Sequence, residues 1–149
     1  MVENKEFKIQ SSTYGLILSI VLIGAQIGEV SLARKIISKL IDLEPKNPLA
    51  KITLSLVALG QNDYDLSFNI LRDVCAEFPD NQMARALLAS SMKMLGMQGW
   101  IPIAESVILD GSSPDAVNLA CNILGRQDSG EQTSSAEQHA VVPPNAMWL

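Results

Sequence analysis

Apolar residues recur along most of this chain at the spacing of a buried helix face. Between positions 32 and 43, Leu32, Ile36, Leu40 and Leu43 fall on one side of a helix. Reading the same periodicity along the chain, with its capping and breaking residues, predicts helices at about 12–27, 30–43, 48–60, 64–77, 81–95, 100–109 and 114–125. Asn47 followed by Pro48 suits a helix start, because proline at the first helical position gives up an N–H that has no partner there. Asp80 or Asn81 takes that place one unit later, and Ser113 with Pro114 opens a last helix that Gly125 stops. From Arg126 onward the run RQDSGEQTSSAEQHA is polar and aperiodic and reads as disordered. The pattern therefore divides the chain into an N-terminal arm (1–11), an all-α domain (12–125) and a disordered tail (126–149). The tail closes on VVPPNAMWL, either an unselected terminus or a short motif that docks on this domain or a partner.

The helices repeat. At a spacing of 34, Leu32 falls on Leu66, Ile36 on Ile70, Pro45 on Pro79, Asn47 on Asn81, Ala50 on Ala84 and Leu54 on Leu88, without a gap. The acidic turn residues Glu29 and Asp63 also correspond. From about Thr13 to Gly125 the chain resembles the tetratricopeptide family. Gln61 to Asp65 looks like the turn inside one repeat. Ser67, Leu71 and Pro79 stand where that family has a small residue, a large apolar residue and a closing proline, and Ala33, Ile37 and Pro45 stand there one repeat earlier. Gly28 and Gly96 match the turn glycine of the first and third repeats. The family's first-helix pattern of Trp, Leu, Gly and Tyr is mostly missing, with Lys51, Leu54, Ser55 and Ala58 in those places in the second repeat. The resemblance implies about three helix pairs plus a C-terminal helix, stacked as a short right-handed solenoid.

Composition narrows the function classes. Hydrophobic residues make up 48% of the 149 positions but aromatics only 5%, so the core is aliphatic. A net charge of -5 without a basic stripe disfavours nucleic acid and anionic lipid as partners. Cys75 and Cys121 follow no metal spacing and read as buried thiols. The single histidine, His139, lies in the tail, so neither a paired-histidine metal site nor a Ser-His arrangement is available. Phosphate-cradling glycine motifs are missing too. Asp63 and Asp65 sit on a turn, where acidic side chains favour the following helix N-terminus. These readings predict neither an enzyme nor a cofactor. The apolar run from Tyr14 to Ala25 is shorter than the roughly 20 residues a membrane span needs. A secretory signal peptide competes with a first core helix for it; Lys5 and Lys8 ahead of it are balanced by Glu3 and Glu6, and the core helix is the stronger reading.

In stacked helix pairs the first helices line the concave face. Carrying over the family's inward positions gives Leu18, Leu22, Leu49, Ile52, Leu56, Leu59, Met83, Ala86 and Met94. The set is apolar, without the Lys, Arg and Asn of a carboxylate clamp. It predicts a groove for an amphipathic helix, made adaptable by methionine. The competing reading makes these residues plain core, covered by the last helix or a second copy. An open groove of this kind calls for a partner or self-association.

The third unit carries a closer resemblance. The run Met94-Leu95-Gly96-Met97-Gln98-Gly99-Trp100, then Ala104, Val107 and Leu109, the loop Gly111 to Pro114, and the final Ala116, Val117, Leu119 and Leu124 are similar to the HrpK-like group of small proteins from Hrp-type bacterial type III secretion operons. Pro102 departs from that pattern and is expected to shorten or kink its helix; Trp100 is expected to pack rather than bind a ligand. The resemblance spans roughly residues 14–125. It implies a part in building or feeding the secretion apparatus: a cytoplasmic chaperone holding a helical needle, pilus or other apparatus subunit, or a periplasmic assembly factor. A general interaction module unrelated to secretion stays open beside both.

Overall fold

The Asn-Pro and Asn81 signals do start helices, and every helix end lies within one residue of the limit read from the sequence. The computed structural model describes residues 9–126. Among them are seven α-helices and no strand: α1 (Ser11–Gln26), α2 (Val30–Leu43), α3 (Pro48–Gly60), α4 (Tyr64–Glu77), α5 (Gln82–Met94), α6 (Trp100–Asp110) and α7 (Pro114–Leu124). The arm up to residue 8, the tail from residue 127, His139 and the VVPPNAMWL end lie outside the described residues.

The spacing of 34 is written into the backbone as well as the side chains. Gly28, Asn62 and Gly96 all take positive φ, at 105°, 59° and 67°. At each, the next residue's N–H reaches back to close the preceding helix: Glu29 to the Gly24 carbonyl, Asp63 to Ala58 and Met97 to Met92, each at 2.9 Å. Asn47 and Asn81 accept N–H bonds from Leu49 and Ala84 with their side chains, opening α3 and α5. Glu44 and Phe78, the last residues before those turns, share one conformation (φ -131°, ψ 71° and φ -129°, ψ 71°). Asn62 is the only non-glycine with positive φ among the described residues. A Cβ there costs energy that asparagine tolerates better than alanine does. Asn62→Ala is therefore expected to lower stability by about 1 kcal/mol and Asn62→Gly to leave it unchanged or raised, as read from urea denaturation.

The third unit departs from the repeat by two residues. Gln98 and Gly99 extend the turn, with Gly99 at φ 89° as the N-cap of α6. Pro102 then occupies the third helical position, where its missing N–H has no intrahelical acceptor to lose. So it does not break the helix; with the late start it leaves α6 at 11 residues against 14 in α2 and α4. Trp100, first in α6, is half-buried against the cluster of Ala86, Ala89, Ala104 and Val107. The Lys93 ammonium lies 5.0 Å from the centre of its ring and also donates to the Ile123 carbonyl at the end of α7.

Each helix packs on the next, and α1 also lies against α3 and α5 against α7. Ile37 in α2, Leu71 in α4 and Val107 in α6 are wholly buried. Small buried residues, Ala33 and Ser67, let neighbouring helices close on the second-helix positions. The Ser67 and Ser91 hydroxyls meet at 3.0 Å between α4 and α5, so both are satisfied away from water.

Tyr14 is buried in the first cluster with Leu18, Val21, Ala33 and Ile37, and its hydroxyl has no partner among the described residues. Burial, with the Glu44 carboxylate second, holds the Tyr14 phenol above its ordinary value. A raised acid holds its proton longer in the folded state than in the unfolded one. Its contribution to stability is thus present below about pH 10 and lost as pH rises through the folded value. Tyr14→Phe is expected to raise stability at neutral pH by about 1 kcal/mol by deleting the orphaned hydroxyl. It should also flatten the alkaline decline; thermal melts at neutral pH and above pH 10 check both parts.

Candidate protein-binding surface

α1 carries no acidic or basic residue at either end and is apolar on nearly every side. Such a helix satisfies its neighbours and still leaves apolar surface. Of the nine positions read as a groove, the structure places Leu18, Ile52 and Ala86 in the interior, with no free surface to offer. Leu22, Leu56, Leu59 and Met83 are half-buried at the edges of the clusters. Leu49 and Met94 are exposed, at 48% and 54%. Met83 packs against two clusters at once, joining α3 and α4 to α6 and α7.

Two of the nine, Leu22 and Leu56, come together. They line a cleft of about 270 Å³ between the C-terminal halves of α1 and α3, with Ala25, Gln26, Val57, Gly60 and Gln61. None of these residues is charged. Two glutamine amides contribute polar groups, so an occupant finds an apolar wall with uncharged donors and acceptors beside it. Gly60 was not singled out by the hydrophobic pattern. Its missing side chain helps keep the cleft open, and a Cβ added there meets nothing within 4 Å. A glycine as the last residue of a helix with ordinary φ, where alanine is preferred, is the signal that pattern reading passes over.

Cys75 is half-buried and Cys121 buried, both as free thiols. Burial pushes the Cys75 thiol up, with the Arg85 guanidinium acting in the opposite sense, which keeps it protonated and poorly nucleophilic. Among the described residues no group of three or more His, Cys, Asp or Glu is placed to hold a metal ion. No described helix is long and apolar enough to cross a membrane. Asp63 caps α4 through the Leu66 N–H and lies 3.8 Å from Arg34, a turn role of the kind its position suggests.

The described residues thus form a periodic helical protein with an uncharged, largely apolar cleft between α1 and α3. Over residues 5–129 the chain matches the model of a family described as bacterial type III secretion protein (HrpB1_HrpK), and it belongs to that family. Comparison with curated proteins gives no match. The resemblance read around Gly96 and Trp100 is thereby shown at the level of the family.

Proposed function

We propose that this chain is an accessory protein of a type III secretion apparatus that holds an apolar helical segment of an apparatus component, as a chaperone or assembly factor rather than an enzyme. In this reading the helix pairs stack as a short, right-handed, tetratricopeptide-like solenoid, with α7 as its closing helix. The observation that carries the binding role is the uncharged cleft between α1 and α3. A needle or pilus subunit that polymerises through an apolar helix needs that helix covered until assembly, and a shallow aliphatic wall can both cover it and let go. The cytoplasm is the compartment this reading favours. Tyr14, Leu18, Val21 and Ala25 are part of the first core cluster, so cleavage near Ala25 would remove a wall of the fold. Fractionation of cells, with the N-terminus of the accumulated protein determined, tests the compartment.

The binding role is tested by filling the cleft. Gly60→Leu introduces an apolar side chain at a position with room for it and with no positive φ to strain. Folding should be retained, since glycine is a weak helix former by about 1 kcal/mol relative to alanine. Co-expressed helical subunits from the same operon should co-purify with the wild-type chain and lose at least about tenfold in affinity, about 1.4 kcal/mol, with Gly60→Leu and with Leu56→Asp. Retention of every such partner by a folded Gly60→Leu chain would remove the cleft from the proposal.

A further inference from the structure

The outer side of α1 is an unfinished edge of the stack. Leu16, Ile20, Ile23 and Ile27 recur at helical spacing on one stripe and are 61%, 60%, 57% and 77% exposed. The stripe lies nearly opposite Tyr14, Leu18, Val21 and Ala25, which face α2 and α3. One repeat later, Leu16, Ile20 and Ile23 correspond to Ala50, Leu54 and Val57, which pack into the cluster formed by α1 and α2. Another repeat on, they correspond to Ala84, Leu88 and Ser91; Ala84 and Leu88 pack with α3 and α4, and Ser91 bonds to Ser67 of α4. The stripe on α1 is thus the face that α3 and α5 each bury against the helix pair before them. Leu32, 54% exposed where its counterpart Leu66 is half-buried, marks the same open edge on α2.

We infer that a second copy of this chain covers that edge, α1 against α1, in a closed pair. Terminal units of a helical stack ordinarily present a polar outer face. The C-terminal end does so: α7 turns Asp115, Asn118 and Asn122 outward. A head-to-tail array would press the stripe onto that polar face, so an open filament is disfavoured and a two-fold contact remains. In a two-fold contact each residue near the axis meets its own kind. Although the chain carries a net charge of -5, residues 11–26 contain no Asp, Glu, Lys or Arg, so α1 meets α1 with no like charges opposed. The stripe runs about 17 Å from Leu16 to Ile27 and is one helix wide, which offers a few hundred Å² per copy. That is below the roughly 800 Å² per partner of a standard interface, so the pair is weak and concentration-dependent.

Sedimentation velocity of the full chain from low micromolar to near-millimolar concentration tests this. The wild-type chain is expected to pass reversibly from monomer to dimer and no further. Ile20→Lys and Ile23→Glu, both at well-exposed positions, should each raise the dissociation constant by about tenfold or more with far-UV circular dichroism unchanged. In an antiparallel pair centred on the stripe, residue 20 faces residue 23, so mixing the two variants should restore the dimer. A wild-type chain that stays monomeric throughout, as it would if the edge were covered by its own tail, overturns the inference. So do assemblies larger than two, or an Ile20→Lys chain that dimerises like wild type. A mixture that stays monomeric overturns the α1-to-α1 pairing.

Discussion

Leu71→Ala is expected to lower the unfolding free energy by about 3–4 kcal/mol, measured by urea denaturation. The side chain is wholly buried in the middle of α4, in the cluster with Ile52 of α3, Val74 of α4, and Ala84 and Leu87 of α5. The change therefore leaves a hole bounded by three helices. Helices from both sides would have to move together to close it, so little relaxation is available and the cavity adds to the transfer loss. Domains of this size are stable by only about 5–15 kcal/mol, so the loss is a large share of the whole. Ile37→Ala, the same position one repeat earlier, should cost a comparable amount. Val107→Ala, which deletes two methyl groups from an equally buried site, should cost less. Leu109→Ala serves as the control: at 87% exposure it should stay within about 0.5 kcal/mol of wild type.

These positions are legible in the sequence alone. Ile37 and Leu71 occupy the large apolar place of the repeat, and the caps at Asn47 and Asn81 set where the helices between them begin. The helix limits are sharply encoded because the turns are specified twice, by capping chemistry and by the repeat. The faces of α1, α3 and α5 are less clearly encoded. In YGLILSIVLIGA almost every position is apolar, so periodicity cannot tell Leu18, which is buried, from Leu16, which is exposed. The same ambiguity put Ile52 and Ala86, both interior, among the groove positions alongside Leu22 and Leu56, which do line the cleft.

Other features depend on backbone geometry that residue type only hints at. Gly28 and Gly96 announce a positive φ, but Asn62 does the same work without announcing it, and only the spacing between the glycines marks it as their equal. Pro102 suggests a shortened or kinked helix; its effect depends on the start of α6, which Gly99 delays until the proline falls within the first turn, leaving a helix of 11 residues. The orphaned Tyr14 hydroxyl follows from how α1 lies against α2, a tertiary fact with no local signature.

Trp100→Ala is expected to cost about 3 kcal/mol and to do so locally. Its ring packs on the α5–α6–α7 cluster, and Lys93 of α5, held over that ring, also donates to the carbonyl of Ile123 in α7. Removing the ring takes away apolar packing, a cation–π contact and the apolar support of the lysine stem in one step. Trp100→Phe should recover most of the packing and Lys93→Met should cost about 1 kcal/mol, which separates the ring's area from its charge contact. α6 and α7 pack on each other and on α5, while α1 and α2 pack on each other and on α3, so damage at Trp100 is felt weakly in the first two helices. Native-state hydrogen exchange should therefore show α6 and α7 opening faster in Trp100→Ala while α1 and α2 keep their protection. Uniform acceleration along the chain would mean that the helices unfold as one unit, and that the Trp100 turn supports the α1–α3 cleft from a distance.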